Sequence, residues 1–350
     1  MSKRIFIGYN NIVSAGTTLR QGFASLGQRA DFYSNERTKH LYDYNDADRP
    51  IEIRFPKNRL FAYFKLLFHL FKLIISYDYF IFLQLSGNLL EHYRDVRILK
   101  FFGKKTMLIL CGCDARIPES VESYKWNPCS ECSLEYKGYV GCVIEQKKKK
   151  LKAAQNVFSI IASPDECSGF LSKPYFTFYF PIDLSDYTPS YPGITEPFVI
   201  VHAPSHHHVK GTRYINAAVE NLKCRLPFIE YICISKVPRH TVLSTLQKAH
   251  LVIDQMLVGF YGVLAVEAMA LGRPVICYIR PDIWNHLKDE CPIINANPDN
   301  LSEILFSSIN NKETLKDLGL RSRSFVEKFH ESSRVAQSLI SQFNSLKSKP

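Results

Sequence analysis

The sequence predicts an α/β protein made of two doubly wound domains, and three observations lead to this fold class. Short continuous apolar runs alternate with helical patterns along nearly all of the 350 residues. Runs of this kind are typical of parallel strands that are buried on both faces of a sheet. The alternation occurs twice, and the chain is long enough for two cores. The composition, 46% hydrophobic and 22% charged, is that of a folded protein.

Seven apolar runs are the candidate strands, three in the first half of the chain and four in the second. They span residues 4–8, 80–83, 106–110, 198–201, 231–234, 251–253 and 274–278. Three prolines and a glycine in residues 185–197 interrupt regular structure and predict a linker. We therefore expect an N-terminal domain over residues 1–184, a C-terminal domain over residues 198–320 and terminal helices over residues 321–350.

One segment departs from this alternation. Residues 117–150 are polar and contain a lysine run, and we expect them to be an insertion in the first domain. Cys129, Cys132 and Cys142 supply most of a thiolate site, since a Cys-x2-Cys hook suits zinc, although structural zinc takes four ligands. The two candidates are therefore a structural zinc ion remote from the chemistry, and thiols in a flexible insertion.

The charge of the chain favours an anionic partner. Lys and Arg outnumber Asp and Glu by 44 to 33, which gives a net charge of +11. A nucleotide sugar, a membrane surface and a nucleic acid all fit this balance, but the sequence has no recognisable nucleic-acid-binding motif, so we expect no nucleic-acid partner. It also has no apolar export signal and no run of eighteen uncharged apolar residues, so we expect a cytoplasmic protein without a transmembrane helix.

Residues 58–76 form an amphipathic pattern with a wide apolar side. Lys65, His69 and Lys72 fall on one narrow stripe, and Leu, Phe and Ile occupy nearly all other positions. The pattern suits a crossover helix buried against the sheet, which we favour, and also a helix lying in a membrane interface. The basic run at residues 147–152 would add attraction to anionic lipid. Peripheral contact with the inner face of the plasma membrane therefore stays open.

The most informative segment spans residues 260–276. Gly262 can end a tight loop, Val263 begins a helix, and Gly272 stops that helix before the next strand. A helix that starts directly after a glycine loop presents backbone amides and the positive end of its dipole, which suits a diphosphate. Glu267 lies one turn further along, where its carboxylate can accept hydrogen bonds from ribose hydroxyls. An ordinary crossover helix with Glu267 on its solvent face fits the same spacing.

This segment resembles the donor-binding signature of retaining GT-B glycosyltransferases of family four and its relatives, which reads Glu-Ala-Met-Ala-x-Gly-x-Pro-Val after a glycine loop. The resemblance implies that the donor lies along Tyr261, Gly262 and Val263. The family carries two glutamates eight positions apart. Glu267 matches the second, which implies a contact with the nucleotide ribose, whereas Gly259 stands at the first position, near the donor sugar.

A second match lies at residues 202–212. Lys210 and Gly211 resemble a lysine-glycine pair of the family, which implies that Lys210 neutralises the donor diphosphate and stabilises the leaving group without a metal. Ser205 stands near the position of a family arginine and is a further donor-binding candidate. The three histidines at residues 206–208 do not predict a metal site, because adjacent side chains cannot all face one ion.

The N-terminal half resembles the family more loosely. Gly16 follows the first strand, and the resemblance implies that its loop approaches the donor phosphate. Residues 111–116 follow a strand end, where doubly wound sheets bind ligands, and are similar to an acceptor loop of envelope-polysaccharide transferases. Asp114 is the candidate for orienting or deprotonating the acceptor, and Arg116 for binding a phosphate or pairing with Asp114. The alternative is an Asp–Arg pair that only folds the loop.

The resemblance implies two Rossmann-like domains facing each other across a cleft, the GT-B fold, with residues 321–350 crossing back to the first domain. It also implies transfer of a sugar from a UDP- or GDP-linked donor to a surface polysaccharide or a lipid-linked saccharide, with retention and no cofactor required for catalysis. A sugar-nucleotide epimerase of the same architecture and a degenerate, non-catalytic GT-B protein are the alternatives.

Overall fold

A computed structural model describes residues 3–35, 51–53, 58–133, 137, 142–193 and 196–346 of the chain. The chain divides into two units, each described here by itself. The N-terminal unit consists of Met1–Arg116, Val143–Asp183 and Glu331–Pro350, and the C-terminal unit consists of Ile117–Cys142 and Leu184–His330.

The described residues form twelve strands in two sheets. The strands are β1 (Arg4–Tyr9), β2 (Arg29–Asn35), β3 (Ile51–Ile53), β4 (Tyr79–Leu83), β5 (Lys105–Ile109), β6 (Ile160–Ser163), β7 (Phe176–Thr177), β8 (Phe198–His202), β9 (Ile229–Cys233), β10 (Leu251–Ile253), β11 (Val275–Cys277) and β12 (Ile294–Asn295). The N-terminal unit has the order β3-β2-β1-β4-β5-β6-β7 and the C-terminal unit the order β12-β11-β10-β8-β9. All pairings within them are parallel. The predicted fold class is confirmed, and each of the seven predicted strands is present.

Thirteen α-helices accompany these strands in the described part of the chain. They are α1 (Ala15–Ser25), α2 (Arg59–Ser76), α3 (Arg94–Phe101), α4 (Pro118–Val121), α5 (Ile144–Val157), α6 (His207–Lys210), α7 (Thr212–Lys223), α8 (Arg239–Leu246), α9 (Val263–Ala270), α10 (Pro281–Leu287), α11 (Leu301–Asn310), α12 (Leu315–Phe329) and α13 (Ser332–Ser345). None of the helices described is long and apolar enough to cross a membrane.

The N-terminal sheet is buried on both faces. Side chains alternate along a strand, so Ile5 and Ile7 pack with residues of α1 and α13 on one face. Phe6, between them, points to the other face and lies against the rings of Tyr33 and Phe80, with centroids 5.1 and 5.4 Å away. Because β1 is buried on both faces, its sequence is a continuous apolar run.

Helix α2 packs on the N-terminal unit through one narrow face. Leu70 and Leu73 are buried, and Nε2 of His69 lies 3.2 Å from the hydroxyl of Tyr9. Eight large apolar side chains on the remaining surface of this helix are exposed. The expectation that α2 is buried against the sheet is therefore wrong for the side of the helix that carries these eight exposed side chains.

The C-terminal unit contains α9 with the boundaries that the sequence predicts. The helix ends at Ala270, and Gly272 follows with φ of 74°. A Cβ atom at Gly272 would lie 2.7 Å from the ring of Tyr191, so this glycine permits both the backbone conformation and the contact. The linker residue Tyr191 thus packs onto the end of α9.

Two predicted boundaries need correction. The insertion, expected in the first domain, belongs to the C-terminal unit over Ile117–Cys142. Its Trp126 packs edge-on against Tyr214, and its Glu131 forms an ion pair with Arg213, which explains the grouping. The terminal helices, expected to return from residue 321, divide at residue 331: α12 is part of the C-terminal unit, and α13 packs against α1 in the N-terminal unit.

Candidate functional site

The candidate site lies at the end of β8 and β10 in the C-terminal unit. The chain adds β9 on one side of β8 and β10 on the other, so the strand order reverses between β8 and β10. Ligands of open α/β sheets bind beyond the strand ends at such a reversal. The segment after β8 carries Lys210, and the segment after β10 carries Gly262. Topology alone thus brings together two residues that lie far apart in the sequence.

The ammonium group of Lys210 lies at the start of α9. Its Nζ atom is 3.2 Å from the position that a Cβ atom on Gly262 would occupy. Nζ donates a hydrogen bond to Oε1 of Gln255, whose own amide donates to the carbonyl of Phe260. Gln255 therefore holds the lysine against the glycine loop. The structure places Lys210 and Gly262 together as the sequence predicts.

The start of α9 already bonds to one carboxylate, that of Asp254, through its N-cap amide. Among the described residues, the N-cap residue Gly262 supplies no side-chain cap, and no acidic residue lies in the first turn. The amide of Gly262 donates to Oδ2 of Asp254, 2.5 Å away, and Val263 is partly exposed. A lysine beside an uncapped helix start combines a full positive charge with partial charges on backbone amides, which is suited to an anion.

Gly211 is required by its surroundings. Its φ is 74°, and a Cβ atom there would lie 3.0 Å from Cγ of Leu257 and 3.1 Å from Cβ of Met256. The backbone amide of Met256 also donates to the carbonyl of Lys210 at 3.0 Å. The Lys-Gly pair is thus locked against the segment that follows β10, and this contact fixes the position of Lys210.

Glu267 is held in place by two side chains that the sequence analysis did not identify. Its Oε1 atom accepts a hydrogen bond from the hydroxyl of Tyr187 and another from Nε of Arg239, each at 3.0 Å. Arg239 also donates to the Tyr187 hydroxyl. Burial, followed by the charge of Glu267, raises the pKa of Tyr187, so this phenol stays protonated and donates to the carboxylate. The carboxylate therefore has one fixed orientation.

His202 lies below this site and is fully buried at the end of β8. Nδ1 lies 2.9 Å from the carbonyl of Ile253, which can only accept, so Nδ1 carries the proton. Nε2 then accepts from the hydroxyl of Thr212 at 2.9 Å. Burial lowers the pKa of His202 to about 4. The ring is a neutral brace between β8, β10 and α7.

Gly259, at the position of the first family glutamate, has no room for a side chain. Its φ is 82°, and a Cβ atom would lie 2.4 Å from Cγ of Arg280. Arg280 is almost fully buried and forms an ion pair with Asp282 at 3.1 Å. Its guanidinium lies 4.7 Å from the ring centre of Tyr124, which belongs to the segment Ile117–Cys142. An arginine stem therefore fills the space beside residue 259.

Tyr261 and Ser205 are the two remaining donor-binding candidates. Tyr261 is buried, stacks on Phe260 with centroids 4.3 Å apart, and its hydroxyl lies 3.1 Å from Nε2 of His330. This tyrosine anchors the loop to the residue that follows α12. Ser205 is exposed on the segment after β8.

The predicted acceptor residues follow β5 in the N-terminal unit. Oδ2 of Asp114 accepts from the amide of Cys111 at 3.1 Å. Burial raises the pKa of Asp114 to about 6, and the charge of Glu166 adds to this, although the amides of Cys111 and Leu85 oppose it. Arg116 pairs with a different acidic residue. Its buried guanidinium donates to Oε2 of Glu166 at 3.1 Å, a partner that the sequence did not reveal.

The amide of Gly16 is engaged within the protein. The amide donates to Oδ1 of Asn11 at 2.9 Å in a buried contact. A Cβ atom at Gly16 would lie 2.6 Å from the ring of Phe32, so packing accounts for the glycine. Gly16 lies in the first turn of α1, and the Phe32 ring packs against it there.

The cysteines do not assemble a metal centre in the part of the chain that the structure describes. No group of three or more His, Cys, Asp or Glu residues there is arranged to hold a metal ion. Cys129, Cys132 and Cys142 are partly exposed, and none of the ten cysteines forms a disulfide. The zinc ion stays an untested prediction.

Two Rossmann-like units in one chain define the GT-B fold, and comparisons with solved structures show that fold. Anabaena HepE in complex with UDP-glucose is 13% identical with a TM-score of 0.62, over 99% of this chain and 100% of HepE. Sucrose-phosphate synthase from Thermosynechococcus elongatus is 13% identical with a TM-score of 0.59, over 98% and 99%. A Listeria monocytogenes protein assigned as a UDP-N-acetylglucosamine 2-epimerase is 11% identical with a TM-score of 0.54, over 100% and 98%. No protein-family model matches the sequence, and no curated protein is similar to it in sequence.

Proposed function

We propose that this chain is a glycosyltransferase that takes a sugar from a UDP- or GDP-linked donor bound to its C-terminal unit. The observation that carries the proposal is the position of the Lys210 ammonium beside the uncapped start of α9, with Glu267 one turn further along. The structures of HepE with UDP-glucose support a uridine donor.

Different residues would bind different parts of the donor. Lys210 and the backbone amide of Val263 would donate hydrogen bonds to the diphosphate. Glu267, oriented by Arg239 and Tyr187, would accept hydrogen bonds from the ribose. As the glycosidic bond breaks, negative charge grows on the leaving diphosphate. A preoriented ammonium and helix start stabilise that charge more than the ground state, without a metal.

Asp114 is proposed to orient or deprotonate the acceptor hydroxyl. A carboxyl group whose pKa is about 6 is ionised at neutral pH and is more basic than an ordinary aspartate. Arg116, held by Glu166, would position the loop rather than contact a phosphate. A surface polysaccharide or lipid-linked saccharide as acceptor, and retention at the anomeric carbon, follow from the family resemblance.

Thermal stabilisation of the purified protein by UDP, GDP and CMP tests the donor site. A nucleotide at about a hundred times its dissociation constant adds about 2.7 kcal/mol, and we expect UDP or GDP to raise the melting temperature. Glu267→Gln should reduce that shift. The matched control is Glu220→Gln, which removes an exposed carboxylate paired with Lys223 in the same unit and should keep it. If no nucleotide stabilises the folded protein, the result would favour the degenerate, non-catalytic alternative. The structural reason would be that Gly259 replaces the first family glutamate and that Arg280 fills the space beside it.

A sugar-nucleotide epimerase is the alternative reaction. It would need a proton-transferring group beside the sugar, and His202 is one candidate. Both nitrogens of this buried ring already bond within the protein, which disfavours that role. Incubation of a nucleotide sugar without acceptor decides between them: epimerised product would support the epimerase, and its absence together with transfer to an added saccharide would support the transferase.

A further inference from the structure

The outer face of α2 is the largest feature that the proposed function leaves unexplained. Five of its side chains repeat at intervals of four, four, three and four residues and so share one side of the helix. They are between 59% and 70% exposed: Leu60, Phe64, Phe68, Phe71 and Ile75. Phe61, Tyr63 and Leu67 widen this face. We call these eight residues the outer face.

Such a surface is unusual on a protein in water. Fifteen large apolar side chains are exposed in the described part of the chain, and eight of them belong to this one helix. Isolated exposed apolar residues need no explanation, but a contiguous patch marks an interaction surface. The packing of α2 on its own unit does not need these side chains, because Leu70, Leu73 and His69 already form the inner contact.

The charges on α2 indicate the kind of partner. The helix contains no Asp or Glu, and its Lys65 and Lys72, seven residues apart, are both exposed. These two lysines lie along one border of the outer face, beside Phe61 and Phe68 in helical projection. A second copy of this helix would bring lysines against lysines with no acid on the helix to pair them. An apolar face bordered by lysine fits a membrane surface that carries anionic headgroups.

A second apolar site lies at the same edge of the sheet. Phe101 and Phe102, which end α3, are 86% and 55% exposed. α2 and α3 lead into β4 and β5, which are adjacent and parallel, so both helices end at one edge of the N-terminal sheet.

We propose that the outer face of α2 docks the protein onto a bilayer containing anionic lipid, with the helix lying in the interface and Lys65 and Lys72 at the headgroups. The aromatic and aliphatic side chains enter the acyl boundary, and the lysine stems extend from it to the phosphates. The proposal goes beyond the proposed function and does not depend on it.

Co-sedimentation with vesicles tests the proposal on the full chain. We expect binding to phosphatidylcholine vesicles that contain phosphatidylglycerol, weaker binding to phosphatidylcholine alone, and weakening by salt. The triple variant Phe64→Ser, Phe68→Ser, Phe71→Ser should lose binding. Lys65→Gln with Lys72→Gln should weaken it about 25-fold, since each lysine near an anionic surface contributes about fivefold. Leu320→Ser, which changes an exposed leucine of α12, is the matched control and should bind as the native chain does.

Three outcomes would overturn the proposal. The first is binding that the triple variant retains. The second is no vesicle binding by the native chain together with a dimer that the triple variant converts to a monomer, which would make a second copy the partner. The third is no vesicle binding by a monomer. Stabilisation by nucleotide, measured on the triple variant, reports separately on the donor site and on the fold.

Discussion

Both units reverse their strand order beside their first long strand, between β1 and β4 in the N-terminal unit and between β8 and β10 in the C-terminal unit. At the first reversal, the side-chain amide of Asn10 donates to Oε1 of Gln84 and to Oγ of Ser86, each at 3.1 Å. Neutral polar groups therefore form hydrogen bonds with one another there. At the second, a lysine faces an uncapped helix start. One topology thus supplies two strand-end positions, and the loop residues decide which one suits an anion.

Two histidines give the largest expected effect, a loss of stability in acid: His202, fully buried in the C-terminal unit, and His69, partly buried in the N-terminal unit. Burial lowers the pKa of both His202 and His69 from 6.5 to about 4. Below pH 6.5 these histidines are therefore protonated in the unfolded chain but remain neutral in the folded protein. The free energy of unfolding falls as the pH decreases from 6.5 to 4. For the fully buried His202 the loss amounts to about 3 kcal/mol.

Melting temperature as a function of pH measures this effect. We expect His202→Asn to flatten the dependence between pH 6.5 and 4, whatever it does to stability at neutral pH. His69→Asn should flatten it less, because this ring is only partly buried. If the melting temperature of His202→Asn depends on pH as steeply as that of the native chain, the conclusion that His202 is neutral in the folded protein is wrong.

The second expected effect concerns nucleotide affinity. Lys210→Met removes the ammonium but keeps most of the stem, and we expect the dissociation constant of the bound nucleoside diphosphate to rise about 10- to 100-fold, as for a lost charged hydrogen bond. Isothermal titration calorimetry measures it. Asn10→Ala, the counterpart at the N-terminal reversal, should leave the affinity within about twofold of the native value, since its partners are neutral and internal. Equal losses in the two variants would break the comparison.

The smallest expected effect separates packing from binding at Gly16. Gly16→Ala places a methyl group against the ring of Phe32, and we expect a loss near the lower end of the about 1–3 kcal/mol that overpacking costs, with nucleotide affinity unchanged. Denaturant unfolding measures the loss. Combining it with Phe32→Leu should recover part of it in a double-mutant cycle. Weaker nucleotide binding by a folded Gly16→Ala protein would instead support a donor role for this loop.

The sequence predicted seven of the twelve described strands. The five that it missed include polar and very short strands, but also β6, which is mostly apolar and buried. β2 has Arg29, Asp31 and Ser34 among its residues, so it shows no continuous apolar run, and β7 and β12 have two residues each. The pattern of α2 was recognised as amphipathic. It could not show which side packs, because the outer face is more apolar than the inner one.

The candidate site shows the same division between local and distant information. Lys210, Gly262 and Glu267 lie in segments whose spacing the sequence reveals, and the strand order then brings the first two together. Arg239 and Arg280 carry no local signal, since each acts through a residue more than twenty positions away that only the folded chain places beside it.

The route of the chain has a consequence for its synthesis. The core of the N-terminal unit includes Leu339 and Phe343 of α13, packed with Leu19 and Phe23 of α1. Residues 331 onward are translated only after the whole C-terminal unit, which ends at His330. The unit that starts first is therefore completed last. Until then, the apolar side chains of α1 that pack against α13 stay uncovered, and exposed apolar surface of this kind favours aggregation of a nascent chain.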